Sequence, residues 1–353
     1  MRKPPSRRRR VAVIAPNWLG DAVMSRTAIG VLSDSGARVS VMAPPYTARV
    51  FQGMGGVDEL IVDATGGRMA RIRGRASALR ATQPHGAVLL APSFSSAVSP
   101  WLARTAVRTG DGADGRGPLL THVLRPGATR GEHLADTFVR LASCVLHAVG
   151  LEPASEASPA PLAVTDCDRE EAARVLDRAG VGNADYAVVV PGAAFGPAKT
   201  WPTQRFRELC ERLAGSFPVI LAGSGAEREL CATAGERLQG VSSVAGETSL
   251  GGFFALLAGA LVVVANDSGT PHASAALDTP TVVLFGSTSP EWTAPRGDRV
   301  TVVQNPVHCS PCFRRTCPTQ LECFRGIGVE RVLKETLDLL GLAIESETGP
   351  GRV

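Results

Sequence analysis

Residues 261–277 read L-V-V-V-A-N-D-S-G-T-P-H-A-S-A-A-L. An apolar run of strand length, with no polar alternation, marks a strand covered on both faces, as in a parallel sheet. It ends at Asn266 and Asp267, turns through Ser268, Gly269 and Thr270, and leaves as a helical pattern opened by Pro271. Proline suits a first helical turn, where its missing N–H costs nothing. The small residues present backbone N–H groups at a helix start, which favours an anion. His272 lies near enough to meet a phosphate or a sugar hydroxyl. Asp267, awkward beside a phosphate, suits ribose or sugar hydroxyls. The plainer reading is a capped strand-to-helix turn with a structural histidine.

The same alternation runs outward from this stretch. Beyond it comes T-V-V-L-F-G (281–286), and before it F-P-V-I-L-A (217–222) and Y-A-V-V-V-P (186–191). Helical patterns at 203–215, 225–238, 249–259 and 270–277 separate these strands, and a last helix falls near 329–341. Residues 151–161, L-E-P-A-S-E-A-S-P-A-P, lack periodicity and read as a linker. Ahead of the linker stand V-A-V-I-A (11–15), R-V-S-V-M-A (38–43), V-D-E-L-I-V (57–62), G-A-V-L-L-A (86–91) and T-A-V-R-T-G (105–110). Their helices are expected near 21–34, 68–82, 93–103 and 132–149. The expectation is an α/β fold of two doubly wound Rossmann-like domains facing across a cleft, with ligands at the carboxyl ends of strands. The domains are 11–150 and 162–342, preceded by a basic disordered tail, 1–10, and followed by a flexible tail, 343–353.

A chain of 353 residues, 44% hydrophobic and 20% charged, suits a globular protein of two domains. Lys and Arg number 37 against 33 Asp and Glu, a net charge of +4 and too mild for a nucleic-acid binder. Much of the excess lies in Arg2, Lys3 and Arg7 to Arg10, either a solvated extension or a contact for anionic lipid. No apolar stretch has the length to span a bilayer, and the N-terminus enters its first strand too soon for a signal sequence. The reading is a cytoplasmic protein, peripheral to the inner membrane at most, with reduced cysteines.

Three further loops follow buried strands. N-W-L-G-D-A-V-M-S (17–25) places Gly20 and Asp21 where a strand hands over to a helix, and Asp21 is either a cap or a base. P-G-A-A-F-G-P-A-K-T-W-P (191–202) holds one cation, Lys199, suited to a diphosphate or simply solvated. In A-G-S-G-A-E-R-E (222–229), Glu227 is placed to accept from a ribose hydroxyl, although small residues there also serve packing. The loops after 191, 222 and 266 share one sheet edge, and a nucleoside diphosphate is the natural common ligand. Arg68, Arg71, Arg73, Arg75 and Arg80 form a basic helix, either a solvated face or a phosphate contact, with Arg71 and Arg75 the candidates for that contact. Cys309, Cys312, Cys317 and Cys323 follow a C-x₂-C-x₄-C-x₅-C spacing. In a reducing compartment this suits a structural Zn or Fe site, with His308 as an alternative ligand, or metal-free thiols.

Taken in this order, the motifs, with L-F-G-S-T-S-P-E-W-T-A-P (284–295), resemble glycosyltransferase family 9, the ADP-heptose:lipopolysaccharide heptosyltransferases, most closely the heptosyltransferase II type. The resemblance implies a GT-B fold and inverting transfer from an ADP-heptose donor to a lipid A–Kdo–heptose acceptor, with no catalytic cofactor. It makes Asp21 the general base and Lys199 the diphosphate contact. Asp267, Ser268, Gly269 and His272 match the sugar-nucleotide site, and Glu227 and Thr248 the ribose and adenine side. Other readings are a family member with a non-lipopolysaccharide acceptor and a GT-B sugar-nucleotide epimerase.

Overall fold

The apolar runs assemble into two six-stranded sheets in which every neighbouring pair is parallel. The structure is a computed structural model and describes residues 8–124, 131–155 and 161–342. The tail expected at 343–353, residues 1–7 of the basic tail and residues 156–160 of the linker lie outside the described residues. The described residues form two compact units. Unit 1 runs to Ala163 and includes Glu291–Ala294; unit 2 takes Val164–Pro290 and the residues from Pro295 onward.

Unit 1 carries strands β1 (Arg10–Ile14), β2 (Arg38–Ala43), β3 (Glu59–Val62), β4 (Gly86–Leu89), β5 (Val107–Asp111) and β6 (His122–Leu124). Its helices are α1 (Leu19–Met24), α2 (Arg26–Asp34), α3 (Pro45–Ala48), α4 (Arg68–Thr82), α5 (Phe94–Leu102) and α6 (Leu134–Ala148). The sheet order is β3-β2-β1-β4-β5-β6. Val11, Val13 on one face of β1 and Ala12, Ile14 on the other are all fully buried, the pattern of a central strand covered on both sides.

Where one helix was expected over 21–34, two form, because Ser25 turns its hydroxyl back onto the Ala22 carbonyl (2.7 Å). Arg26, the first residue of α2, is buried, with Nε and Nη2 lacking a hydrogen-bond partner among the described residues. Burial pulls its guanidinium down to about 10, so it stays charged at neutral pH. A buried charge without a partner is destabilising. Arg26→Met is therefore expected to raise unfolding stability by about 1–3 kcal/mol, read from the urea midpoint.

Unit 2 repeats the plan. Its strands are β7 (Ala187–Val190), β8 (Val219–Leu221), β9 (Val241–Ser243), β10 (Val262–Asn266), β11 (Thr281–Phe285) and β12 (Val300–Gln304), in the order β12-β11-β10-β7-β8-β9. The helices are α7 (Asp166–Arg178), α8 (Thr203–Leu213), α9 (Arg228–Gly235), α10 (Leu250–Ala258), α11 (Gly269–Ala275), α13 (Glu322–Arg325) and α14 (Val329–Leu340), while the short α12 (Pro290–Thr293) falls almost wholly in the Glu291–Ala294 segment of unit 1. The capping box of Thr165 and Asp168 starts α7. Phe206 and Leu209 from α8 and Val332 and Leu333 from α14 join Val262 and Val264 of the sheet in one core. In each unit the first strand is central and the order reverses between the first and fourth strands. Both reversals leave a crevice at the carboxyl edge.

Candidate active site

In unit 2 the reversal lies between β7 and β10, and the loops that follow these two strands meet there. One side chain ties down both ends of the loop after β7. Asn266, fully buried at the end of β10, donates from Nδ2 to the Pro191 carbonyl (2.7 Å) and accepts the Trp201 amide at Oδ1 (3.0 Å). Trp201 is itself buried edge-on against Phe206, with ring centroids 5.0 Å apart, and its indole N–H donates to the Ile327 carbonyl (3.0 Å). Lys199, at the end of the 3-10 turn Pro197–Lys199, thus rides on a loop anchored to the core.

The Lys199 ammonium donates to Asp267 Oδ2 at 2.6 Å, with the two side chains 15% and 5% exposed. The Thr288 hydroxyl, from the loop after β11, donates to the same oxygen. Separate roles were expected for Lys199 on a diphosphate and Asp267 on sugar hydroxyls; the structure couples them, since a carboxylate this buried requires a charged partner. Each keeps capacity in reserve. Lys199 has further N–H donors, and among the described residues Asp267 Oδ1 accepts no hydrogen bond. The hydroxyl oxygens of Ser268 and Ser287, on the loops after β10 and β11, are buried without partners among the described residues. Orphaned buried hydroxyls are uncommon in native structures, and two on adjacent loops mark this edge of the sheet as polar capacity left open. Gly269 opens α11, and His272 lies within that helix, 5% exposed.

Glu227 stands between the loops after β7 and β8. Its Oε2 accepts from the Ser224 amide (2.7 Å) and hydroxyl (2.8 Å), closing a capping box. Its Oε1 lies against Gly192, where an added Cβ would come within 1.8 Å of it. Gly192→Ala is therefore expected to push the carboxylate off the Ser224 amide and hydroxyl and to cost about 1 kcal/mol of stability, read from the urea midpoint. Thr248 is half-buried on the loop between β9 and α10. That loop joins the Glu227 loop through the Gly246 amide on the Gly223 carbonyl (2.9 Å) and Arg228 Nε on the Ala245 carbonyl (3.2 Å).

In unit 1, Asp21 is the third residue of α1 and half-buried, with Trp18 at the N-cap. The chain reaches it through Asn17, which lines a small pocket of about 20 Å³ with Arg68, Arg71, Arg75, Ser93, Ser95 and Ser99. These residues follow β1, β3 and β4, so the pocket sits at the carboxyl edge of the sheet. Ser99 Oγ is buried without a partner. Arg75, expected as an acceptor contact, is instead buried in a bidentate pair with Asp63 (Nε to Oδ1, 2.6 Å), because it falls on the inward stripe of α4 with Ile72, Ala76 and Leu79. It forms a wall. Arg71 is half-buried and Arg68 exposed, and neither has an ion-pair partner among the described residues.

Residues 73–322 match the sequence profile of glycosyltransferase family 9 (heptosyltransferase). The chain belongs to glycosyltransferase family 9. It is 30% identical to lipopolysaccharide heptosyltransferase 2 of Salmonella typhimurium over 84% of this chain and 88% of that one. It also superposes on the structure of Escherichia coli ADP-heptose lipopolysaccharide heptosyltransferase II with a TM-score of 0.78 at 27% identity, covering 94% of this chain and 98% of the other. A family 9 glycosyltransferase from Veillonella parvula shares the fold, with a TM-score of 0.80 at 20% identity and coverage of 94% and 97%. The GT-B expectation and the heptosyltransferase II resemblance are both borne out.

The family 9 chain places its cysteine cluster beside this site. Cys309, Cys312 and Cys317 lie on the loop after β12 and Cys323 in α13, all as free thiols. Burial pushes the Cys323 thiol up, and the nearby Cys309, Cys317 and Cys312 add to the shift. Yet among the described residues no three His, Cys, Asp or Glu side chains converge as a metal-ligand set. The donor atoms therefore do not fit the expected Zn or Fe centre. The loop is fastened by its backbone instead, through the Cys312 and Phe313 amides on the Ser287 carbonyl (3.0 and 2.8 Å). Sequence reading also passed over Asn266, Ser287 and Thr288 as site residues. The signal for Thr288 was a hydroxyl three residues past a buried strand, on the same sheet edge as Asp267.

Proposed function

We propose that this family 9 glycosyltransferase transfers heptose from ADP-heptose to the heptose/Kdo inner core of lipopolysaccharide, inverting the anomeric centre, with Asp21 as general base. The observation that carries the reading is the Lys199–Asp267–Thr288 cluster at the strand-order reversal, in a chain similar along most of its length to lipopolysaccharide heptosyltransferase 2. The donor's diphosphate meets Lys199, its sugar hydroxyls meet Asp267 Oδ1 and the Ser268 and Ser287 hydroxyls, and its ribose meets Glu227. His272 and Gly269 shape the donor-sugar side and Thr248 the adenine side. An acceptor hydroxyl attacks the anomeric carbon as Asp21 takes its proton, and ADP departs with its charge met by Lys199. Attack opposite the leaving group needs one base, which is why a single carboxylate suffices.

The acceptor is read from unit 1. Arg68 and Arg71 at the pocket offer unpaired guanidiniums to its phosphates. Trp18 at the cap of α1, Tyr46 in α3 and Phe94 at the start of α5, 49%, 59% and 46% exposed, follow strands at the same sheet edge and suit the apolar body of a lipid-linked acceptor at the inner membrane face of the cytoplasm. Among the described residues no helix is long and apolar enough to cross a membrane.

The test is product analysis with ADP-heptose and two acceptors, Kdo–lipid A with and without one heptose. The reading expects a heptosylated product only from the mono-heptosylated acceptor, with anomeric configuration opposite to the donor's by NMR. Transfer to neither would discard the lipopolysaccharide acceptor, and conversion of donor alone would mean epimerase or hydrolase chemistry.

A further inference from the structure

Resting on the donor reading above, we propose that Arg315, carried on the cysteine-rich loop between Cys312 and Cys317, is a second cation of the donor site and binds the diphosphate of the nucleotide sugar. Charge balance is the first reason. The diphosphate brings a formal negative charge on each phosphate, whereas Lys199 is already paired with Asp267 (2.6 Å), so that pair is neutral as a unit. A buried neutral pair stabilises an incoming dianion far less than a free cation does. Another positive group has to be close.

Geometry supplies one. The Phe195 ring has the Lys199 ammonium 5.2 Å from its centroid and the Arg315 guanidinium carbon 5.3 Å from the same point. Both are cation–π distances, and sharing one ring keeps the two cations in one neighbourhood. The backbone fixes the arrangement. The Ala198 amide donates to the Arg315 carbonyl (3.1 Å), one residue before Lys199. At Gly196, with φ +147°, an added Cβ would lie 2.7 Å from that carbonyl, so the two chains touch there without a side chain between them.

Chemistry points the same way. Arg315 is exposed, and among the described residues it has no carboxylate partner and donates no side-chain hydrogen bond. Its planar fork of N–H donors is thus uncommitted, and that fork matches phosphate oxygens bidentately. The contact with Phe195 restrains the guanidinium before the ligand arrives, so less side-chain entropy is lost on binding. The cysteine-rich loop therefore reaches the donor site through Arg315, and its attachment at Ser287, next to Thr288, ties it to the other donor loop as well.

The experiment is calorimetry of ADP and adenosine with the wild-type protein, Arg315→Ala and Arg315→Lys, at low and moderate salt, with thermal melts to confirm folding. Arg315→Ala is expected to weaken ADP about tenfold and leave adenosine within about twofold, with Arg315→Lys between. The salt dependence of ADP binding is expected to flatten in Arg315→Ala. Equal losses for ADP and adenosine would make Arg315 a brace of the loop, and no loss for either would remove it from the site; both overturn the proposal. Wild-type protein that binds ADP no better than adenosine would instead overturn the donor reading on which the proposal rests.

Discussion

Asp21→Asn is expected to lower kcat for heptosyl transfer by about 10²–10⁴, the usual contribution of a positioned general base, with donor affinity within about twofold of wild type. Asparagine keeps the size of the side chain and the first turn of α1, but it cannot take a proton from an attacking hydroxyl. The residues assigned to the donor belong to unit 2, whereas Asp21 belongs to unit 1, so binding and chemistry are separable in this variant. Steady-state ADP release with saturating acceptor reads the first, and calorimetry of ADP the second. A variant that binds ADP normally and turns over at the wild-type rate would remove Asp21 from the chemistry. One that loses donor affinity in proportion to rate would make it a structural residue of the helix start.

Lys199→Ala is expected to act twice, on stability and on activity. The structural loss arises because Asp267, 5% exposed, keeps only the Thr288 hydroxyl when its cation is gone. Breaking one side of a buried ion pair typically costs about 3–5 kcal/mol, and a unit 2 domain destabilised on that scale melts measurably earlier. The functional loss comes from the diphosphate. Without Lys199, the departing phosphate meets an uncompensated carboxylate, and kcat/KM is expected to fall by about 10²–10³. The double variant Lys199→Met with Asp267→Asn separates the two effects. It removes both charges, so the stability returns towards wild type while the activity does not. Recovery of both would mean that Lys199 serves only to neutralise Asp267.

Much of this site was legible in the chain because its residues sit where strong local signals end. The central strands β1, β7, β10 and β11 are continuous apolar runs; Lys199 and Asp267 lie on the loops that follow β7 and β10, and Asp21 lies in the helix that follows β1. The strands left unread, β6, β9 and β12, are all at sheet edges. An edge strand is half solvated, so H-V-L, V-S-S and V-T-V-V-Q carry no buried run to reveal them. Helix α7 escaped because its charges mask a stripe of only Ala172, Val175 and Leu176 behind the Thr165 cap. What sequence could not supply was pairing. The coupling of Lys199 to Asp267 spans residues that are adjacent only because β7 and β10 are neighbours. Arg75 looked like the other arginines of α4 until its partner, Asp63 at the end of β3, fixed it inward.

The most direct test of the account is ADP release from ADP-heptose by wild-type protein and Asp21→Asn, each with and without mono-heptosylated Kdo–lipid A. The account predicts release that requires the acceptor in the wild type and is nearly abolished in Asp21→Asn. Release by the wild type without acceptor, or at an undiminished rate in Asp21→Asn, would contradict it.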